Sequence, residues 1–97
     1  MEPFNPTPEL DVSQLNAVEL QRLGVLMVQV RATYANPVVT IEPEPEFPEV
    51  WRLLGFIGKG RFVFVALRYD DLTGKFADLR VDNADDLEEL RYYLYRA

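Results

Sequence analysis

Residues 50–69 read VWRLLGFIGKGRFVFVALRY, the strongest β-structure signal in the chain. This stretch contains two runs rich in β-branched and aromatic residues, Val50–Ile57 and Arg61–Tyr69, with Gly58-Lys59-Gly60 between them. Two such runs joined by a short glycine-containing segment indicate a β-hairpin. We therefore expect a pair of antiparallel strands near the centre of the chain.

A further strand is predicted after this hairpin. Residues 70–75, DDLTGK, are typical of a turn, and Gly74 suits a position with a positive φ angle. Phe76–Val81 then has the composition of a strand. We expect this strand to pair with Arg61–Tyr69 and to extend the sheet.

The segment before the hairpin alternates apolar residues and prolines with threonine and glutamate from Val39 to Phe47. Pro43 and Pro45 remove N–H groups from the same edge of an extended chain, which makes that edge a poor template for pairing. We expect a protective edge strand with its apolar side chains facing inward. The alternative is a free acidic arm formed by IEPEPEFPEV, residues 41–50.

A helix is predicted before the sheet, because five apolar residues recur at the spacing of a buried helical face. These residues are Leu20, Leu23, Met27, Val30 and Tyr34. Asp11 or Ser13 is the expected N-cap of a helix that begins near Gln14. A competing interpretation ends the helix at Gly24 and makes residues 25–34 a strand. We expect one helix, since an internal glycine costs only about 1 kcal/mol.

The C-terminal residues 83–95 predict an amphipathic helix. Asn83 is the expected N-cap, the first turns are acidic, and Arg91 and Arg96 lie towards the C-terminal end, which suits the helix dipole. The expected buried stripe consists of Leu87, Leu90 and Leu94, with Tyr93 or Tyr95 beside it.

Together these elements predict an α+β fold with an N-terminal helix, a four-stranded antiparallel meander sheet and a C-terminal helix. The 97 residues have room for one hydrophobic core. We expect an extended leader over residues 1–12, which contain three prolines, and a single α+β domain over residues 13–97.

The composition argues against common forms of catalysis. There is no cysteine and no histidine, which excludes disulfides, thiolate metal sites, most zinc sites and the triads that need an imidazole base. The carboxylate pairs at 70–71 and 85–86 are adjacent, so their side chains point in different directions, and Gly58-Lys59-Gly60 lacks the features of a phosphate-binding loop. We expect a protein that is not an enzyme, with no catalytic residue, no metal site and no cofactor.

The net charge of −6 is unevenly distributed. Residues 51–81 carry six basic and three acidic residues, whereas the segments on either side are acidic. This balance disfavours non-specific binding to phosphate backbones and suits a partner with a basic surface. The N-terminus lacks the features of a signal peptide, and the longest apolar stretch, residues 24–30, is too short to span a bilayer. We therefore expect a cytoplasmic protein that does not bind membranes.

The two faces of the predicted sheet differ in composition. The odd-numbered residues of the last two strands form an aliphatic face, expected to pack against the helices, and are Val63, Val65, Leu67, Ala77, Leu79 and Val81. The second face combines phenylalanine and arginine, residue types that are enriched at protein interfaces. Its members, which are our candidate partner-binding residues, are Arg52, Phe56, Phe62, Phe64, Arg68, Phe76 and Arg80.

Three interpretations of this second face remain open. It is a second core layer under one helix with arginines at its rim, a protein interface, or a platform that stacks the bases of single-stranded nucleic acid. We expect a small acidic protein-binding module that is not an enzyme: an inhibitor, an immunity-type or antitoxin-type factor, or an accessory subunit. We also expect a homodimer through this face, and single-stranded nucleic-acid binding is the alternative function.

Overall fold

The computed structural model describes residues 8–13 and 15–95, and only the backbone of residues 78 and 79. The helices of this part of the chain are α1 (Ala17–Leu23), α2 (Met27–Ala35) and α3 (Leu87–Leu94), and its strands are β1 (Val39–Ile41), β2 (Val50–Gly58), β3 (Arg61–Asp70) and β4 (Lys75–Asn83). The strands form an antiparallel sheet in the order β1-β2-β3-β4, which confirms the predicted α+β fold and its meander. Among the described residues, no helix has the length and apolar character needed to cross a membrane.

The central hairpin forms as predicted. Its turn residues Gly58, Lys59 and Gly60 have φ angles of 91°, 53° and 71°, and Gly74 in the next turn has 69°. Glycine adopts a positive φ angle without the steric cost of a Cβ atom. Gly58, Gly60 and Gly74 therefore favour turns at these two places in the sequence.

The predicted N-terminal helix is two helices, because the chain turns at Gly24. This residue has a φ angle of 72°, and its N–H donates to the carbonyl oxygens of Leu20 and Gln21, which closes α1. The single-helix prediction is therefore wrong. The competing strand over residues 25–34 is wrong as well, since Met27–Ala35 is helical.

α1 also begins later than predicted. Its N-cap is Asn16, whose Oδ1 accepts a hydrogen bond of 2.8 Å from the N–H of Val18. The predicted caps Asp11 and Ser13 lie before this N-cap and do not cap the helix. The Asp11 carboxylate instead accepts a hydrogen bond of 3.0 Å from the N–H of Ser13. Hydrogen bonding to Ser13 lowers the pKa of the Asp11 carboxyl. Gln14, the predicted start, lies outside the described residues.

The first face of the sheet carries the main core beneath α1 and α2. Leu53, Val63 and Val65 are completely buried there and pack in one cluster with Val30 of α2. The predicted helical stripe contributes to this core through Leu20, Leu23, Met27, Val30 and Tyr34. The side chain of Leu79, also predicted in this core, is outside the described part of the structure.

β4 changes face part-way along its length. Ala66 is paired with Arg80, but Arg68 is paired with Ala77, so β4 contains one extra residue between these pairs. Phe76 therefore lies on the first face, where it is 5% exposed and packs in the main core. The prediction that Phe76 lies on the second face is therefore wrong. The prediction that Ala77 lies on the first face is also wrong, because Ala77 is paired with Arg68 of the second face.

Residues 42–49, which are rich in glutamate and proline, form a loop rather than the predicted edge strand. β1 is an outer strand, but pairing with β2 ends at Ile41, because the chain reverses direction before β2 begins at Val50. In the loop, the N–H of Phe47 donates to the carbonyl oxygen of Glu44 at 2.9 Å. Pro43 is buried, but Phe47 is 57% exposed, so the predicted inward row from Ile41 to Phe47 does not form.

Residues before α1 lie along the other outer strand, β4. Leu10 is buried and forms a parallel bridge with Phe76. The N–H of Asp11 donates to the carbonyl oxygen of Phe76 at 2.8 Å. The N–H of Phe76 donates to the carbonyl oxygen of Glu9 at 3.1 Å. Backbone pairing therefore attaches this part of the leader to the sheet.

α3 lies on the second face and completes a three-layer arrangement. Its N-cap is Asp86 rather than the predicted Asn83, because the Asp86 carboxylate accepts hydrogen bonds from two N–H groups of the first turn. Leu87 of the predicted buried stripe is 68% exposed and does not join the cluster that contains Leu90 and Leu94. The side of α3 that packs on the sheet is formed by Leu90, Tyr93 and Leu94.

Candidate partner-binding groove

The middle of the second face is a second core layer beneath α3. Leu54 and Phe64 pack there with Ala84 and Leu90, and only 8% of Phe64 is exposed. The predicted aromatic surface is therefore smaller than expected, because Phe64 is buried and Phe76 is on the opposite face.

Phe56 and Phe62 lie at the hairpin end of the second face. Their ring centroids are 5.3 Å apart, with Phe56 exposed and Phe62 half-buried. The buried cross-strand pair Leu54 and Phe64 occupies the next row of this face and separates them from Arg52. The structure thus divides the seven predicted residues instead of joining them in one exposed surface.

Arg52 contacts α3 through Glu89 and Tyr93. Its guanidinium carbon lies 4.8 Å from the centroid of the Phe64 ring and 5.9 Å from that of the Tyr93 ring. Its Nη2 lies 3.3 Å from Glu89 Oε1, in a hydrogen bond that joins β2 to α3. The half-buried guanidinium is therefore held in position by two rings and a carboxylate.

Arg68 and Arg80 are more exposed. Arg80 Nε lies 3.7 Å from Asp82 Oδ2, and Arg68 Nη1 lies 3.9 Å from Glu49 Oε1. Ion pairs with this exposure and length contribute at most about 1 kcal/mol to stability, so a competing charge can displace them readily. Both arginines are accessible to a binding partner.

Two neighbouring hollows beside α3 together extend over all four strands. Their floor is a single cross-strand row in which Ile41 pairs with Arg52, Arg52 with Ala66, and Ala66 with Arg80. The two open hollows, of about 760 Å³ and 310 Å³, follow this row and have Arg52 in common as a lining residue. α3 and the residues just before it form the wall. We call the two hollows together the helix groove.

The larger hollow, at β1, is the aromatic end of the helix groove. Its apolar lining comes from the outer strand, the loop over residues 42–49 and α3, and includes Ile41, Phe47, Val50, Tyr92 and Tyr93. The rings of Tyr92 and Tyr93 are in T-shaped contact at 5.1 Å. Because Phe47 and Tyr92 are both exposed, a ligand in this hollow would contact two aromatic side chains.

The smaller hollow, at β4, is the acidic end of the helix groove. Its carboxylates are those of Asp82, Asp85, Asp86 and Glu89, and its cations are Arg52 and Arg80. Glu42 and Glu44 add two carboxylates at the aromatic end. Six carboxylates and two guanidinium groups therefore line the groove, and negative charge is in excess. Among the described residues, no three carboxylates are placed to hold one metal ion.

Sequence patterns identified Arg52 and Arg80 on the floor of the groove but not its walls. Phe47 was expected to face the core, and Tyr92 had no predicted role. The available signals were the adjacent tyrosines at 92–93 and the acidic loop. Neither the adjacent tyrosines nor the acidic loop indicates a groove by itself, because the groove exists only where α3 packs on the second face of the sheet.

Comparisons with protein-family models, with curated proteins and with solved structures found no match. A function must therefore be argued from the groove itself.

Proposed function

We propose that this protein is a small acidic protein-binding module, not an enzyme, that holds a segment of a partner protein in the helix groove. The observation that carries the proposal is the helix groove, in which an aromatic hollow and an acidic hollow lie on either side of the fixed Arg52. Tyrosine and arginine are residue types that contribute strongly to binding at protein interfaces. Apolar contact area with a few fixed polar groups is what a polypeptide segment requires for recognition.

The charge of the groove favours a partner with a basic surface. The six carboxylates of its lining outnumber the two guanidinium groups, and the whole chain has a net charge of −6. Opposite charge on a partner increases the association rate and excludes partners of like charge. Binding is therefore expected to weaken as salt concentration increases.

Two features favour a protein over single-stranded nucleic acid. The face expected to stack bases is not available, because Phe64 is buried and the exposed Phe56 is separated from the arginines by a core row. The exposed rings of Phe47 and Tyr92 lie in a hollow whose charged lining is one arginine and two glutamates. In addition, the carboxylates of the groove repel phosphate groups.

A module of this kind acts by occupying a surface of its partner, as an inhibitor, an immunity-type or antitoxin-type factor or an accessory subunit does. A homodimer formed through the same surface is the second candidate, which the oligomeric state in solution tests. However, like charges on two copies oppose it, so the best-fitting occupant of the groove is a different, basic protein.

The test compares two substitutions that introduce the same ring at different places. Ala66→Trp fills the middle of the groove floor, and the control Leu72→Trp places a tryptophan in the β3–β4 turn, where the native side chain is 95% exposed. Tagged wild-type and variant proteins are used to purify binding partners from cells of the source organism, and bound proteins and nucleic acids are identified. Circular dichroism and size-exclusion chromatography measure folding and oligomeric state.

We expect a protein retained by wild type and Leu72→Trp to be reduced at least tenfold with Ala66→Trp. Equal retention by all three proteins, or retention of nucleic acid alone, would contradict the proposal. Tyr92→Ala, which shortens an exposed wall residue without adding volume, is the second groove variant if Ala66→Trp does not fold.

A further inference from the structure

We infer that the segment bound in the helix groove is extended and basic, with an aromatic side chain at one end and lysine or arginine about four residues away. This inference rests on the proposed function and adds the chemistry of the ligand. Three features carry it: the length of the groove, its aromatic end and its acidic end.

The length of the groove sets the length of the ligand. Its floor row crosses from β1 to β4, which is three strand spacings of about 4.8 Å, or about 14 Å in all. An extended chain advances about 3.3 Å per residue, so about four residues separate side chains that reach the two ends. A segment of five or six residues can therefore contact both hollows at once.

The aromatic end suits a large apolar side chain. The hollow of about 760 Å³ is bounded by Phe47 on the loop, Tyr92 on α3 and Ile41 on the floor. Aromatic side chains pack against one another with their edges or offset faces and bury a large area for few rotatable bonds. Tryptophan, tyrosine or phenylalanine of a partner is thus the side chain that makes best use of this end.

The acidic end suits a cationic side chain. Asp82 and Asp85 are exposed, and Asp86 and Glu89 continue the line of carboxylates along the wall. The Glu89 carboxylate is already engaged by Arg52, and the Asp82 carboxylate lies beside Arg80. The remaining excess of negative charge is complementary to lysine or arginine on the ligand, with the long alkyl stem crossing Ala66.

Synthetic peptides with blocked ends test this chemistry on the full chain. The probe is a hexapeptide with tryptophan at one end, two lysines at the other and three glycines between them. The comparison peptides replace the two lysines by glutamates, or the tryptophan by alanine. Binding to ¹⁵N-labelled protein is followed by amide chemical shifts at low salt.

We expect the tryptophan–lysine peptide to shift amides at both ends of the groove. We also expect it to bind at least tenfold more tightly than either comparison peptide. Asp82→Asn with Asp85→Asn should weaken its binding at least threefold, whereas Glu19→Gln with Asp71→Asn, which removes the same charge elsewhere, should not. Phe47→Ala should also weaken it, and Leu72→Ala should not.

Equal binding of the lysine and glutamate peptides, equal binding without tryptophan, or shifts outside the groove would each overturn the inference. If Ala66→Trp loses the partner that wild type retains, but the peptides give one of these contradicting results, the inferred ligand chemistry is wrong and the proposed function stands. If Ala66→Trp retains every partner, the proposed function itself is wrong, whatever the peptides do.

Discussion

Arg52 of β2 and Glu89 of α3 form an ion pair of 3.3 Å that joins the sheet to the wall of the groove. The same guanidinium lies over the rings of Phe64 and Tyr93. We expect Arg52→Ala to lower the free energy of unfolding by about 1–2 kcal/mol, because the ring contacts and the packing of the alkyl stem are lost with the half-exposed ion pair. Urea unfolding followed by circular dichroism measures the change.

Arg80→Ala is the matched control for this substitution. Arg80 is more exposed than Arg52, and its pair with Asp82 is longer, at 3.7 Å. Its removal should cost less than about 0.5 kcal/mol. Equal losses for the two variants would show that the contacts of Arg52 with α3 add nothing to stability.

Thr33 of α2 packs directly on Gly55 of β2. A Cβ atom at Gly55 would lie 2.6 Å from Thr33 Cγ2 and closer still to Oγ1. Thr33 is buried, and its hydroxyl donates to the carbonyl oxygen of Gln29 at 2.9 Å. Gly55→Ala is therefore expected to force α2 away from the sheet and to cost about 2–3 kcal/mol of stability.

A double-mutant cycle identifies the cause. In the Thr33→Ala background two of the obstructing atoms are absent, so Gly55→Ala should cost at least about 1 kcal/mol less than in the wild type. The cost is measured by urea unfolding. An unchanged cost would mean that the contact with Thr33 is not what restricts position 55 to glycine.

Tyr34 should make stability depend on pH in the alkaline range. Its hydroxyl donates to the carbonyl oxygen of Pro8, and burial raises the pKa of the phenol above its ordinary value of 10.0. Above about pH 10 the unfolded chain therefore loses a proton that the folded chain retains, and the free energy of unfolding falls as pH rises. Tyr34→Phe should remove this part of the dependence and, at neutral pH, cost about 1 kcal/mol for the lost hydrogen bond.

Urea unfolding at pH 7, 10 and 11 tests both parts of this prediction. Tyr95→Phe is the control, because Tyr95 is exposed. A pH profile of Tyr34→Phe that coincides with the profiles of wild type and of this control would argue against a buried, protonated Tyr34.

Arg61, at the start of β3, caps the C-terminal end of α1 with its side chain. Its guanidinium donates to the carbonyl oxygens of Leu23 at 2.8 Å and Gly24 at 3.2 Å, and to Asn83 Oδ1 at 3.0 Å. Arg61→Ala should lower stability by about 1 kcal/mol and increase amide exchange in α1, since helix-terminal carbonyl groups lose their donors. Lys59→Ala, in the neighbouring turn, is the control and should leave α1 unchanged; equal exchange in both variants would contradict the prediction.

Elements with a strong local pattern could be predicted, and positions that depend on a change of register could not. β2, β3 and the turn at Gly58-Lys59-Gly60 are encoded by composition and by glycine. Phe76 was placed on the wrong face because one extra residue in β4 reverses the alternation, and no single residue type marks a bulge of this kind. The same reversal moved Ala77 to the second face.

The candidate site was predicted less well than the fold. Arg52 and Arg80 were identified from the alternation of the strands, and both line the helix groove. Phe64 has the same alternation but is buried, because Leu90 of α3 packs in the same cluster. The aromatic end is formed by Tyr92, which had no predicted role, and by Phe47, which was expected to face the core.

The sequence alone determined the α+β class, the meander and the excess of acidic residues, because these depend on local periodicity, turn residues and composition. Tertiary structure decided which part of the second face remains open. α3 packs through Leu90, Tyr93 and Leu94, and its position over the sheet both buries Phe64 and creates a wall beside Arg52. Such a position results from packing between segments distant in the chain, and a pattern within one segment does not contain it.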